Sequence, residues 1–156
     1  MRQLKRLGMN RSGLTKFYCA NIRSVLSYAA PVFYNLLSDT VKSKLENVQA
    51  AATRIILPDM SYDKRLDFLH LPTLDVFMTK MTENHFMKIA GDSTHPLFSK
   101  IIFNCNKRSS RLHTIYRPPR CKNEKRRKSF FPAMMSVFNT TCLTHLHCYN
   151  ITYSAA

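Results

Sequence analysis

Between Lys107 and Lys128 the chain places ten cations, Lys107, Arg108, Arg111, Arg117, Arg120, Lys122, Lys125, Arg126, Arg127 and Lys128, against one carboxylate, Glu124. His113, Tyr116 and the Pro118-Pro119 pair interrupt them. Phosphate recognition wants this composition. Arginine forks engage phosphate oxygens in pairs, and the planes of Tyr and Arg can stack on unpaired bases. Six such phosphate contacts would make log K fall with log salt at a slope of about −4 to −5. A solvated basic loop uses the same residues, and so does a nuclear-import address at Lys125-Arg126-Arg127-Lys128.

The other chemistry-bearing residues converge less well. Cys142, His145, His147 and Cys148 are four soft ligand types, but they crowd into seven residues. A structural zinc site spreads two ligand pairs over separate elements, so ordinary side chains are the expected reading and no metal site is assigned. Cys105, Cys121 and His113 could complete such a site, but the sequence alone does not bring them together. His70, His85 and His95 are dispersed. The acidic residues form no close pair, and Asp39, Asp59, Asp63, Asp67, Asp75 and Asp92 read as caps and first-turn charges. No phosphate-binding P-loop, dinucleotide turn or nucleophile elbow occurs. Neither a catalytic residue nor a cofactor nor a small-molecule substrate is expected.

The total charge of +15 on 156 residues is unevenly spread. Residues 1–23 carry six basic and no acidic side chains, residues 24–103 eight of each, and residues 104–139 ten basic against one acidic. With 45% hydrophobic and 11% aromatic residues, the chain can bury a core between its basic flanks. The uncharged run Ser24–Ser38 contains Pro31, Asn35 and three serines, too short and polar for a membrane span. The basic N-terminus lacks the apolar block of a signal peptide. Five cysteines at irregular spacing argue against a disulfide framework. An intracellular location, nuclear or cytoplasmic and not secreted, is therefore expected.

These cations need helices to hold them. Leu14, Tyr18, Ile22, Val25, Ala29, Val32 and Leu36 recur at steps of three and four, which predicts a helix over Leu14–Leu37, kinked or divided near Pro31. Ser38-Asp39-Thr40 supplies capping oxygens for a second, from Val41 to about Leu57. Val41, Leu45, Val48, Ala52 and Ile55 form its inner face, with Lys42, Lys44, Glu46, Gln49, Thr53 and Arg54 mostly on the other. A short third helix carries Tyr62, Leu66 and Leu69. A fourth runs to about Ala90, with Leu74, Met78, Met81, His85 and Ile89 inward and Gly91 as its stop. Pro96–Phe103 adds a short helix. Met78, Met81, Met87, Met134 and Met135 are core candidates. Residues 104–128 read as an extended arm, and Ser129–Asn139 as a last helix with Pro132 in its first turn. Only three glycines and no hairpin signal weigh against sheet.

The run Ile22-Arg23-Ser24-Val25-Leu26-Ser27-Tyr28-Ala29-Ala30-Pro31-Val32-Phe33-Tyr34, followed by Leu45-Glu46-Asn47-Val48-Gln49-Ala50-Ala51-Ala52-Thr53-Arg54-Ile55-Ile56, resembles the region after the polymerase palm in LINE-type (non-LTR) retrotransposon reverse transcriptases. Leu71-Pro72-Thr73-Leu74, His95-Pro96-Leu97-Phe98, Arg117-Pro118-Pro119-Arg120-Cys121 and Lys128-Ser129-Phe130-Phe131-Pro132 follow in the order and at the spacing of such elements. The resemblance covers residues 1–139. It implies a helical thumb and post-thumb module that helps hold template RNA and growing DNA during target-primed reverse transcription, with a polymerase palm as a partner. A palm holds its two metal ions on paired carboxylates. This chain has no Asp-Asp.

The sequence therefore predicts an all-α protein, a small irregular helical bundle with an extended basic arm and a C-terminal helix. Its parts are a core at 1–103 with a basic lead, the arm at 104–128, the helix at 129–139, and an unmatched, disordered tail at 140–156. The expected function is RNA or DNA binding through the arm by a non-catalytic polymerase fragment, with no membrane partner. A protein-interaction or nuclear-import module, and a relic reading frame without selected function, are the alternatives.

Overall fold

The computed structural model describes residues 1–102 and 115–144, with side chains through residue 140. The fold is all-helical, and no β-ladder forms among the described residues. Two compact units divide between His85 and Phe86, whereas charge divides the chain after residue 103. Charge marks the solvated face of a chain, and packing follows the apolar side chains.

The first unit begins with α1 (Arg2–Arg6) and α2 (Arg11–Phe17). Gly8, at φ 82°, turns the chain between them, a conformation that L side chains resist. Asn10 caps α2, its Oδ1 accepting from the Gly13 amide at 2.7 Å, and so satisfies one of the free amides at the helix start. The helix predicted over Leu14–Leu37 is in fact a relay of short pieces. A π-helical turn at Tyr18–Arg23 leads into α3 (Ser24–Ser27), and α4 (Ala30–Phe33) leads into a 3₁₀ turn at Tyr34–Leu36. The break falls at Tyr28-Ala29, where Ala29 takes φ 56°. Pro31 lies in the first turn of α4 and costs no helical hydrogen bond there.

Next come α5 (Asp39–Ile56), α6 (Tyr62–Leu69) and α7 (Leu74–Gly91). Ser38 and Ser61 occupy the N-cap positions of α5 and α6 without a capping side-chain bond, and the Ser38 hydroxyl instead meets that of Thr40 at 2.8 Å. His70 closes α6 in the left-handed conformation, with the Leu71 amide reaching back to the Leu66 carbonyl at 2.9 Å, which satisfies a carbonyl at the helix end.

α5 corrects the expected inner face. Val41 and Val48 are 38% and 40% exposed, while Gln49 and Thr53, polar residues expected outside, are fully buried beside Ala52 and Ile56. The burial stripe is turned by about one residue from the apolar stripe, because a hydrogen-bonded network claims that side. Tyr18 Oη donates to Gln49 Oε1 at 2.7 Å. Gln49 Nε2 donates to the Pro72 carbonyl at 2.9 Å and to Tyr62 Oη at 3.2 Å. Tyr62 Oη donates in turn to Glu46. The Glu46 carboxylate also accepts from the Leu74 amide at 2.9 Å. It thereby satisfies the start of α7 from another helix and places a negative charge at its positive end.

Around this network lie two apolar clusters of the first unit. Ala30, Tyr34, Leu74 and Met78 form one, and Leu14, Ile56 and Leu57 the other. α7 buries Leu74, Met78 and Thr82 at successive steps of four, and its final turn belongs to the core of the second unit through Phe86, Ile89 and Ala90. His85 and Met87 were expected inward, yet both lie on the exposed side of α7. Burial of a side chain such as Met78 contributes about 2 kcal/mol.

The tyrosines of this unit set three expectations. Tyr18→Phe strands the Gln49 carbonyl oxygen in the core and costs about 1–3 kcal/mol in denaturant unfolding. Tyr28, by contrast, is 81% exposed. Tyr28→Phe should change stability by less than about 0.5 kcal/mol. Burial, aided at Tyr34 and Tyr62 by hydrogen bonds to Asp75 and Glu46, pushes the phenols of Tyr18, Tyr34 and Tyr62 above the ordinary value of 10.0. A raised phenol pKa stabilises the fold fully below the ordinary value of 10.0 and ceases to do so as the pH climbs through the raised values. These three tyrosines should therefore stay protonated past that ordinary value and ionise with unfolding, which an ultraviolet titration followed beside circular dichroism will show.

Candidate nucleic-acid interface

The second unit roots the basic arm. Phe130, Phe131, Met134, Met135 and Phe138 recur at helical spacing along α9 (Phe130–Thr144), with Pro132 in its first turn, where its missing amide costs nothing. The helix continues past the expected end at Asn139, through the start of the segment read as a tail. Phe86 centres the aromatic core, stacked on Phe138 at 5.1 Å between centroids and edge-on to Tyr116 at 5.4 Å and Phe130 at 6.1 Å. Both arrangements set the positive edge of one ring against the negative face of another.

Tyr116 was expected to stack on bases. Its ring is instead 9% exposed and committed to this core. The adjacent backbone is clamped as well. Asn139 Oδ1 accepts from the Tyr116 amide at 2.9 Å, its Nδ2 donates to the Tyr116 carbonyl at 2.7 Å, and the Arg117 amide donates to the Ile102 carbonyl at 2.7 Å. An Asn side chain here supplies the two hydrogen bonds that a neighbouring strand would supply.

Beyond the clamp, Arg117, Arg120 and Lys122 are exposed, and the chain then forms α8 (Glu124–Arg127). The arm is thus not extended throughout. Glu, Lys and Arg are good helix formers, and Asn123 stands at the N-cap position. Lys128 pairs with Glu124 at 2.9 Å across one turn. That hydrogen-bonded ammonium, helped by the Lys128 and Arg127 charges, holds the Glu124 carboxyl below its ordinary value. Among the described residues no ion pair engages Arg117, Arg120, Lys122, Lys125, Arg126 or Arg127. All six face solvent from a stretch whose only carboxylate is already occupied. Lys107, Arg108 and Arg111, the other expected contacts, lie outside the described residues, as do Cys105, His113, His145, His147 and Cys148. Cys121 is part-buried, its thiol donating weakly to the Pro119 carbonyl at 3.3 Å.

The first unit gathers acidic residues that sequence spacing kept apart. Asp39, Glu46 and Asp75 line a cleft of about 380 Å³ with Lys42, Tyr62 and Thr73. Their partners identify what they do. Glu46 is held by Tyr62 and the Leu74 amide, and Asp75 accepts from Tyr34 Oη at 2.5 Å with Lys42 at 3.8 Å. These carboxylates tie helices together. No group of three or more His, Cys, Asp or Glu side chains suited to a metal ion occurs among the described residues. No helix there is long and apolar enough to cross a membrane.

Sequence reasoning passed over one basic group. Arg2, Lys5, Arg6 and Arg54 line a single cleft although about fifty residues separate Arg54 from the rest. The all-basic lead at 1–23 was the available signal, but only the packing of α1 beside α5 supplies the fourth member. Comparison with protein-family models, curated proteins and solved structures found no match to the chain.

The clamp yields a local expectation. Asn139→Leu removes both hydrogen bonds from the Asn139 amide to the Tyr116 backbone, which costs about 2–4 kcal/mol in the second unit. Hydrogen exchange at the Tyr116 amide should accelerate by about 100-fold or more.

Proposed function

We propose that the protein binds nucleic acid through the arm at 107–128 and is non-catalytic on its own, as a thumb and post-thumb fragment of a LINE-type reverse transcriptase would be. One observation carries the binding. Six exposed cations, Arg117, Arg120, Lys122, Lys125, Arg126 and Arg127, lie in one short stretch of chain whose sole carboxylate, Glu124, is already paired. Such a surface has no internal counter-charge, and a phosphate backbone provides one at regular spacing. The motifs that run in order from Ile22 to Pro132 support the polymerase assignment, and the all-helical fold agrees with it. The chain has no Asp-Asp, so the cations would hold a template or product while a palm elsewhere does chemistry.

The core burial of Tyr116 narrows the mode. Stacking by that ring is removed, which leaves arginine forks and lysine charges on the backbone as the binding groups. Affinity should then be largely sequence-independent and strongly dependent on salt.

Replacing Arg117, Arg120, Lys125, Arg126 and Arg127 together by Gln should flatten the log K against log salt slope for a single strand by about 3. Fluorescence anisotropy across a salt series measures it. Binding indifferent to salt, or unchanged in the variant, would sink the proposal. Displacement of the oligonucleotide by poly-glutamate at equal charge would favour an acidic protein partner, and a non-cooperative thermal melt would favour a relic chain.

A further inference from the structure

The cleft in the first unit points to a second place where a nucleic-acid strand can lie. Its volume is about 600 Å³, and its walls are Arg2, Lys5, Arg6 and Arg54 over a floor of Ala51 and Ile55, with no carboxylate among them. Helix α1 contributes three of the cations from one face and α5 the fourth from its last turn.

Part of this charge has a local role. Lys5 Nζ donates to the Ile55 carbonyl at 2.6 Å and so offsets the negative end of α5. No ion pair among the described residues engages Arg2, Arg6 or Arg54, and all three are exposed. Lys5 therefore neutralises the helix end, and the three arginines are left facing open space without a counter-ion.

A second groove of about 480 Å³ shares Arg2, Ala51 and Ile55 with the first and continues it over Ile22, Val48 and Ala52. Apart from Arg2 and Gln3, this half is lined by apolar side chains. Val48 is 40% exposed there because the buried stripe of α5 turns away from it. A basic half joined to an apolar half matches a polymer with phosphates along one edge and uncovered base faces along the other. Single-stranded nucleic acid has that form, whereas a duplex hides its base faces. We infer that the α1–α5 groove binds single-stranded RNA or DNA, with Arg2, Arg6 and Arg54 on the phosphates and Ile22, Val48 and Ile55 beneath the bases. The inference adds a site to the reading above and does not depend on the arm being the other one.

The test uses the full chain, a short oligothymidylate and the same sequence as a duplex. Arg2→Gln, Arg6→Gln and Arg54→Gln together should lower the salt slope for the single strand by about 2, equivalent to a loss of about 100-fold at about 0.1 M salt. The triple Lys variant at these positions should keep the slope, and Val48→Asp should weaken the single strand more than the duplex. A Gln variant that melts like the parent and keeps its slope overturns the inference. Loss confined to the arm variant does so too while leaving the proposed function standing, and a chain that binds neither oligonucleotide overturns both. Equal weakening of strand and duplex by Val48→Asp, or preference of the groove for poly-glutamate or for phosphatidylserine vesicles, also overturns it.

Discussion

The first unit depends on one amide. Gln49 accepts from Tyr18 and donates to Tyr62 and to the Pro72 carbonyl, so one side chain joins the wide turn after α2, helix α6 and the approach to α7. Glu46, one turn earlier on α5, holds Tyr62 and the first amide of α7. A buried polar group is tolerable only when its partners are present, and leaving one unmet costs about 1–3 kcal/mol. Apolar contacts alone permit a helix to slide or roll against its neighbours by small steps. These bonds have defined lengths and directions, and they select one arrangement of α5, α6 and α7.

That choice explains where the cations end up. With Gln49 and Thr53 inward, α5 cannot also bury Val41 and Val48, and its outer surface becomes apolar near the middle and basic at the end. In the second unit the same economy operates through Asn139, whose amide fixes the backbone of Tyr116 while Arg117, Arg120, Lys122 and the cations of α8 remain in solvent. Both units therefore use a primary amide to hold non-repetitive backbone or side-chain oxygen, and both leave most of their arginine and lysine outside, with Arg65 the buried exception among the described residues. Three carboxylates take the opposite part, since Glu46 and Asp75 are consumed by tyrosines and an amide, and Glu124 by Lys128.

Much of this was legible in the residues. The all-helical class, the boundaries near Pro58 and Leu71-Pro72, the break near Pro31 and the apolar run of α9 all follow from period and punctuation, which are local. What escaped was non-local. Nothing in the spacing of α5 says that Gln49 outranks Val48 for the interior, because the deciding partners Tyr18, Tyr62 and Pro72 are far along the chain. Tyr116 looked like a stacking platform because it sits among cations, but Phe86 and Phe138 lie across the fold from it. Arg54 gave no sign of joining Arg2 and Arg6. Charge runs are readable in one dimension, and clefts are not.

The turn at Tyr18–Arg23 carries one further meaning. A π-helical turn holds one residue more than the α-helix it interrupts, and each residue of an α-helix advances about 100°. Tyr18 is thereby aimed at Gln49 while the positions after Arg23 are rephased, so Val25 points outward at 71% exposed although it continues the step of Ile22. Shortening this turn by one residue would keep every apolar side chain and still rotate α3 by about a quarter of a circle. In this stretch the protein is sensitive to phase before it is sensitive to composition.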